Sequence, residues 1–322
     1  MRETSGSAIS EAPLELQHYR TLLRLVNDAR HRLMVCYGGG GVPGLCGNVA
    51  LARILEQLDL RKHVSEIWGT SAGAVVGGAW ATGTTAGEIL ALLKSLDPRS
   101  AKDFCTRELL LSLPFLSFGR ELPDGLMRGR HFATFTKAGL KVENIEQCEI
   151  PFRCIACREG GGSVHKVFRA GPIFPAILAS FSLPGFLPPY PSDHAAGSYY
   201  FDGGMVEKTP LLSPISEHLR SGDKRKLLII GTRFRNEGMQ KTTRGFINWF
   251  LRGFYTMQEQ LWDYQLNEAR SRTDVTLMLL NPRIPDTGLF DFEKVDANYA
   301  HARRMFLDLL QNAKVALTFG LR

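Results

Sequence analysis

Hydrophobic residues along the chain alternate between helical spacing and short continuous runs. Residues 14–30 have apolar positions at helical spacing, whereas 32–37 form an apolar run that is typical of a buried strand. A glycine-rich turn follows at 38–44. Residues 45–58 then return to helical spacing, and 64–68 form a second apolar run. The pattern predicts two strand–loop–helix units in succession.

Helices are predicted directly after the second strand, at 72–80 and at 85–96. Alternating strands and helices predict a mainly parallel sheet with helices on both faces and right-handed crossovers. In such sheets the functional site lies at the carboxyl ends of the strands. Both glycine-rich turns, at 38–44 and at 69–73, fall at that edge.

The rest of the chain has weaker patterns, which still predict most of its elements. Residues 151–158 and 164–169 predict a β-hairpin, 187–191 a rigid loop, and 199–201 a strand that ends at Asp202. The other predicted elements are strands at 226–233 and 275–280 and helices at 173–182, 241–272 and 291–316. The apolar segment 109–118, which proline interrupts, is predicted to be either a lid over the site or an additional core helix.

No internal repeat, low-complexity tract or evident linker divides the chain. We therefore predict an N-terminal helical extension at 1–30 and a single domain at 31–322. Its chemistry-bearing motifs lie within 31–235, and the C-terminal helices and last strand lie within 236–322.

Composition indicates a folded protein with a sizeable core. The 322 residues are 44% hydrophobic and 22% charged. The net charge of +7 is compatible with contact with nucleic acid or an anionic membrane surface, and equally with a solvated surface that has some excess of arginine. The polar N-terminus predicts no secretory signal, and no run reaches the ~18 apolar residues of a membrane-spanning helix. Six dispersed cysteines favour a reducing compartment. Cys154 and Cys157 form a C-x-x-C within a strand, and we interpret that pair as structural.

Ser71 is the candidate nucleophile. It lies between Gly69 and Gly73 in a G-x-S-x-G motif at a predicted strand-to-helix turn. Such a turn exposes the serine hydroxyl, and the flanking glycines remove side-chain clashes. The helix that follows presents its positive end to developing negative charge. A glycine-rich packing turn without chemistry is the alternative interpretation.

The glycines at 38–44 allow two functional interpretations. Gly39, Gly41 and Gly44 match the dinucleotide fingerprint G-x-G-x-x-G, but the next strand ends without the acidic residue that would bind a ribose. Consecutive backbone N–H groups without side chains can instead stabilise the oxyanion of a tetrahedral intermediate. We favour this second function.

A serine nucleophile requires a base. None of the eight histidines lies in a turn at a predicted strand end, and His194 is the one loop histidine that could serve. Asp202 is better placed, because it ends an aromatic strand and precedes two glycines. In an apolar cleft, desolvation would raise the pKa of Asp202 and make it a better base near neutral pH. Aspartate before glycine is also common in ordinary turns.

Four motifs together resemble the patatin-like phospholipase family. These are the glycine run at 38–44, the serine turn at 69–73, the segment 179–189, and Asp202-Gly203-Gly204, in the family's order and contexts over about residues 31–235. The resemblance implies a three-layer α/β/α fold and a Ser-Asp dyad without histidine. Ser71 corresponds to the nucleophile and Asp202 to its base. The expected oxyanion donors are Gly39, Gly40 and Gly41, and the supporting motif residues are Gly38, Gly44, Gly69, Gly73, Gly203 and Gly204.

The implied activity is hydrolysis of acyl esters in phospholipids, lysophospholipids or neutral lipids, with no metal or cofactor. Two positions depart from the family pattern. Gly38 stands where many members have aspartate, and Pro43 stands where many have a basic residue, which leaves the oxyanion to backbone donors alone.

The expected partners are an acyl-ester lipid and, transiently, a membrane surface, with no nucleic acid. We expect a cytoplasmic or delivered soluble protein that associates peripherally with membranes. Residues 245–255 are rich in aromatics and suit either an interfacial helix, with Trp249 and Leu251 at the membrane, or a core stripe that includes Phe254, Met257 and Leu261. The alternatives for function are an acyltransferase or esterase with a Ser-His-Asp triad that uses His194, and a non-catalytic binding module.

Overall fold

The computed structural model describes residues 14–106, 123–160, 164–192, 197–235, 246–284 and 287–312. The predicted lid or helix at 109–118 and the alternative base His194 lie outside these ranges.

The described part of the chain contains eight strands and ten α-helices. The strands are β1 (His31–Tyr37), β2 (Val64–Thr70), β3 (Phe152–Arg158), β4 (His165–Phe168), β5 (Tyr190–Pro191), β6 (Tyr199–Asp202), β7 (Lys226–Thr232) and β8 (Val275–Leu280). The helices are α1 (Arg20–Asn27), α2 (Gly41–Gln57), α3 (Ala72–Ala81), α4 (Ala86–Ser95), α5 (Pro98–Ala101), α6 (Arg130–Ala138), α7 (Ile173–Phe181), α8 (Leu212–Ser221), α9 (Phe246–Arg270) and α10 (Val295–Gln311).

All eight strands form one sheet. Its order is β5-β6-β3-β2-β1-β7-β8, and β4 pairs with β3 outside this path. Five neighbouring strands are parallel to one another, namely β3, β2, β1, β7 and β8. The strands β4, β5 and β6 pair in antiparallel fashion at one end of the sheet. The predicted mainly parallel sheet is therefore confirmed.

Side chains of β1 show how the three layers form. Leu33, Val35 and Tyr37 point into a core shared with α2, α3 and α10, whereas Met34 and Cys36 point into a second core shared with α8 and α9. Alternate residues of a strand face opposite sides of the sheet, so a continuous apolar run buries both faces. The predicted α/β/α fold is confirmed.

Some local elements differ from the prediction. Tyr190 and Pro191, predicted as loop, form the short strand β5 against β6, where an edge position tolerates a proline. The sequence patterns did not predict α5, α6 or α8. In α8 only Pro214, Ile215 and His218 are buried, and so few apolar residues leave little periodicity to detect.

The cysteines are all free thiols. Cys154 lies fully buried in β3, and its thiol donates a hydrogen bond to the Ala176 carbonyl of α7. Burial raises the pKa of Cys154 to about 12, which leaves it protonated and unreactive. These observations agree with a structural role. Within the described ranges, no helix is long and apolar enough to cross a membrane.

Helix α3 approaches β1 very closely at its first turn. A Cβ on Gly73 would overlap the carbonyl group of Tyr37, and backbone atoms cannot move aside as a flexible side chain can. Gly253, in the middle of α9, instead faces open space.

We expect Gly73→Ala to lower the free energy of unfolding by at least ~1–3 kcal/mol, the usual range for an overpacked core. The matched variant Gly253→Ala should be neutral or stabilising by up to ~1 kcal/mol, because alanine is the better helix former. Urea unfolding measures both. Equal effects in the two variants would contradict the close approach.

Candidate active site

Ser71 occupies the sharp turn between β2 and α3. Its backbone lies at φ 54° and ψ −123°, a conformation that side-chain-bearing residues rarely adopt. The turn is possible because the glycines on either side let the backbone segments meet: a Cβ on Gly69 would lie 2.6 Å from Ala74 Cα. A strained residue that its surroundings hold in place is typical of a functional site.

The Ser71 backbone is anchored from α7. Its N–H donates to Ser180 Oγ over 2.8 Å. The side chain is 8% exposed, at the positive end of α3. Next along the chain, the N–H of Ala72 has no acceptor in the described structure. Ala72 was missed by the sequence analysis, although the residue after the serine of a G-x-S-x-G turn commonly supplies such a donor.

Asp202 ends β6 beside Ser71. Its N–H donates to the Ser182 carbonyl at 2.9 Å, and its Oδ1 accepts the N–H of Gly204 at 2.7 Å. Burial raises the pKa of Asp202 to about 6, while hydrogen bonding with the Ser71 side chain and Gly204 and the charge of Lys208 partly oppose that shift. Desolvation is the largest cause of the raised pKa, and the direction of the shift agrees with the expectation from the sequence.

The chain after Asp202 ties the separate motifs together. Thr70, at the end of β2, donates its hydroxyl to the Glu207 carbonyl at 2.8 Å. The N–H of Gly39 donates to the Lys208 carbonyl, also at 2.8 Å. The serine turn and the glycine run are thus both bonded to the segment that carries the aspartate.

Asn48 in α2 holds the start of the glycine run. Its Nδ2 donates to the Gly38 carbonyl at 2.8 Å, and its Oδ1 accepts the hydroxyl of Thr232 at 2.6 Å. That hydroxyl in turn accepts the N–H of Gly38 at 2.9 Å. Asn48 and Thr232 lie outside any motif, so sequence patterns did not predict this closed, fully buried network.

The three expected oxyanion donors are not equivalent. Gly39 already donates its N–H to Lys208, so that N–H is occupied. The N–H groups of Gly40 and Gly41, before and at the start of α2, have no acceptor in the part of the chain that the structure describes. They are the two glycines of the run whose donors remain open.

Two glutamines of α9 support the loop after Asp202. Gln258 Nε2 donates to the Gly204 carbonyl at 2.9 Å, and Gln265 Nε2 donates to the Val206 carbonyl at 2.7 Å. Both side chains are buried. Long-range contacts of this kind leave no signature in a sequence.

A pocket opens over Ser71 and Asp202. Gly39, Gly40 and Gly41 lie along one part of it. Apolar side chains line much of the remainder, namely Phe181, Leu183, Leu187, Phe254, Leu289 and Phe290. The structure therefore brings the serine, the aspartate and the glycines to one apolar cleft, as the sequence predicted.

Lys208 is the charged residue of the pocket that sequence reasoning missed. It is only 6% exposed, and its ammonium group lies 5.5 Å from the centre of the Tyr255 ring. Burial lowers the pKa of Lys208 to about 8. Pro43 leaves the glycine run without a basic residue, but a cation reaches the same pocket from another segment.

Two solved structures align with most of this chain at low similarity. VipD from Legionella pneumophila aligns with 86% of this chain and 66% of its own, at 11% identity and a TM-score of 0.40. The type III effector protein ExoU aligns with 88% of this chain and 53% of its own, at 15% identity and a TM-score of 0.39. These likenesses are distant.

Two relatives by sequence are longer chains. A putative patatin-like phospholipase domain-containing protein of Caenorhabditis elegans is 25% identical over 81% of this chain and 24% of its own. An uncharacterized NTE family protein of Mycobacterium bovis is 30% identical over 60% of this chain and 48% of its own. The chain thus spans less than half the length of either relative. The family model for patatin-like phospholipase matches residues 35–215, more than half of the chain, and the protein belongs to that family.

Proposed function

We propose that the protein is a lipid acyl hydrolase in which Ser71 is the nucleophile and Asp202 is its base. The observation that carries the proposal is the pairing of a strained, buried serine with a desolvated carboxyl at the floor of an apolar pocket. The family supports lipid hydrolysis in general, and the two residues are assigned on geometry and chemistry.

Hydrolysis then proceeds through an acyl-serine. Ser71 Oγ attacks the ester carbonyl carbon as Asp202 takes the hydroxyl proton. The tetrahedral intermediate expels the alcohol oxygen, which receives that proton from Asp202. Water next attacks the acyl-serine and gives a proton to Asp202, and this proton returns to Ser71 Oγ as the fatty acid leaves.

Backbone donors stabilise the oxyanion in this scheme. Gly40 and Gly41 supply N–H groups from the glycine run, and Ala72 supplies a third from the start of α3. Loss of one such donor typically raises the barrier by ~3 kcal/mol. Gly39 contributes to this site by holding the run against Lys208.

The outer face of α9 is suited to contact a membrane. Trp249, Met257 and Tyr264 are each more than 60% exposed, and at 100° per residue they fall within an arc of about 80°. The guanidinium group of Arg252 lies 5.0 Å from the centre of the Trp249 ring. An apolar stripe beside a cation is typical of helices at anionic interfaces.

This surface differs from the one expected from the sequence. Leu251, expected at the membrane, is buried at 2% exposure, and Met257, expected in the core stripe, is exposed. Phe254 is buried as expected for a core stripe. We therefore propose that the membrane contacts the face of α9 that carries Trp249 and Met257, and that Leu251 takes no part in this contact.

Labelling with a fluorophosphonate tests the nucleophile. The wild-type chain should react covalently, and Ser71→Ala should neither react nor hydrolyse esters, with a loss in kcat of at least ~10³-fold. His194→Ala, which would disable a histidine triad, should keep the activity. Absence of labelling in folded wild-type protein, or loss of activity in His194→Ala, would falsify the proposed dyad enzyme.

The pH dependence tests the base. Asp202 must be ionised to accept the serine proton, so kcat/KM should fall as pH drops through about 6, by up to tenfold per pH unit. Asp202→Asn should lose the activity at every pH. Tryptophan fluorescence at each pH establishes that the chain stays folded. A profile that is flat between pH 5 and 8 would contradict this role.

Vesicle sedimentation tests the membrane face. The double variant Trp249→Ser/Met257→Ser should bind anionic liposomes at least about tenfold more weakly, because each apolar side chain gains ~1.5 kcal/mol or more on burial. Leu16→Ser removes a similarly exposed apolar side chain from a 3₁₀ turn before α1 and should change nothing. Equal binding by both variants contradicts contact through α9.

A further inference from the structure

The ammonium group of Lys208 is buried without a counterion of its own. In the described structure it forms no hydrogen bond or ion pair, and its one direct side-chain interaction is the face of the Tyr255 ring. Burial lowers the pKa of Lys208 to about 8, which shows that desolvation of the cation is only partly compensated. Near neutral pH the group is mainly protonated.

The neighbouring carboxylates are already committed to other groups. Glu259 forms ion pairs with Arg233 and Arg235. Asp202 accepts the N–H of Gly204 and interacts with the Ser71 hydroxyl. Both carboxylates that act on Lys208 are therefore shared with other groups.

The uncompensated cation belongs to the reaction pocket. Lys208 lines the same cleft as Ser71 and Asp202, and its own carbonyl accepts the N–H of Gly39. A group bound at the ammonium would therefore lie a short distance from an ester on Ser71. Most of the cleft is apolar, so a charged group there has few other partners.

We propose that Lys208 is a specificity-determining residue that binds an anionic, phosphate-type group that the substrate carries near its scissile ester. The inference rests on the proposed function. On this assignment, Lys208 favours binding of phosphate-bearing acyl esters over uncharged ones such as acylglycerols. An anionic oxygen at the ammonium forms a charge-assisted hydrogen bond in a dry pocket, where such bonds are strongest.

A binding measurement tests the role of Lys208 separately from catalysis. Turnover alone would mix two effects, because the charge of Lys208 also lowers the pKa of Asp202. The Ser71→Ala chain is therefore titrated by calorimetry with a short 1-O-alkyl-glycerol-3-phosphate below its critical micelle concentration. Its ether bond cannot be hydrolysed. The uncharged 1-O-alkylglycerol of the same chain length is the comparison ligand.

We expect the phosphate ligand to bind the Ser71→Ala chain at least about tenfold more tightly than the uncharged ligand at pH 7. Adding Lys208→Met should abolish that preference and leave binding of the uncharged ligand within about threefold, whereas adding Lys208→Arg should retain most of it. Arg235→Met removes one positive charge from a half-exposed side chain and should retain the preference.

Three results overturn the assignment. Lys208→Met could weaken the binding of both ligands equally, as a packing role for Lys208 predicts. Arg235→Met could abolish the preference as fully as Lys208→Met, as a long-range charge effect predicts. A fatty carboxylate of equal chain length could match the phosphate ligand in its dependence on Lys208, which would assign the ammonium to the acid product. If Ser71 fails to label but the phosphate preference holds, the proposed hydrolase is wrong and the anion site stands.

Discussion

The close approach of the first turn of α3 to the end of β1 is the constraint on which the site depends. Gly73 leaves no room for a side chain against the Tyr37 carbonyl, and Gly69 leaves none against Ala74. This contact forces the intervening Ser71 into a positive-φ conformation. The same geometry places the serine at the positive end of a helix and at the edge where parallel strands end.

A single segment, 202–208, connects the remaining parts. Its backbone accepts hydrogen bonds from the serine turn through Thr70 and from the glycine run through Gly39. Its side chains supply the two charged groups of the pocket, Asp202 and Lys208. Because both are desolvated, burial shifts their pKa values in opposite directions, the acid upwards and the base downwards. The site is thus a coupled unit, and its charges are set by burial as much as by proximity.

Helix α9 links this interior to the surface. Gln258 and Gln265 satisfy carbonyl groups of the segment 202–208 from inside, while Trp249 and Met257 are exposed on the other side. The same helix therefore carries the exposed Trp249 and the glutamines that bond the loop after Asp202. An amphipathic helix with buried amides is suited to such a double role, since amides bond backbone carbonyls without adding charge.

The sequence by itself determined the strand and helix pattern around both glycine turns, and with it the parallel sheet. It also determined the candidates Ser71 and Asp202, because turn chemistry and apolar periodicity are local properties that residue order records. The tertiary structure alone decided that Asn48 braces Gly38, that the Gly39 N–H is already occupied, that Leu251 faces inward and that Lys208 enters the pocket. Each of these depends on which distant segments meet, and burial and charge at such meetings follow from the packing of the whole chain rather than from any motif.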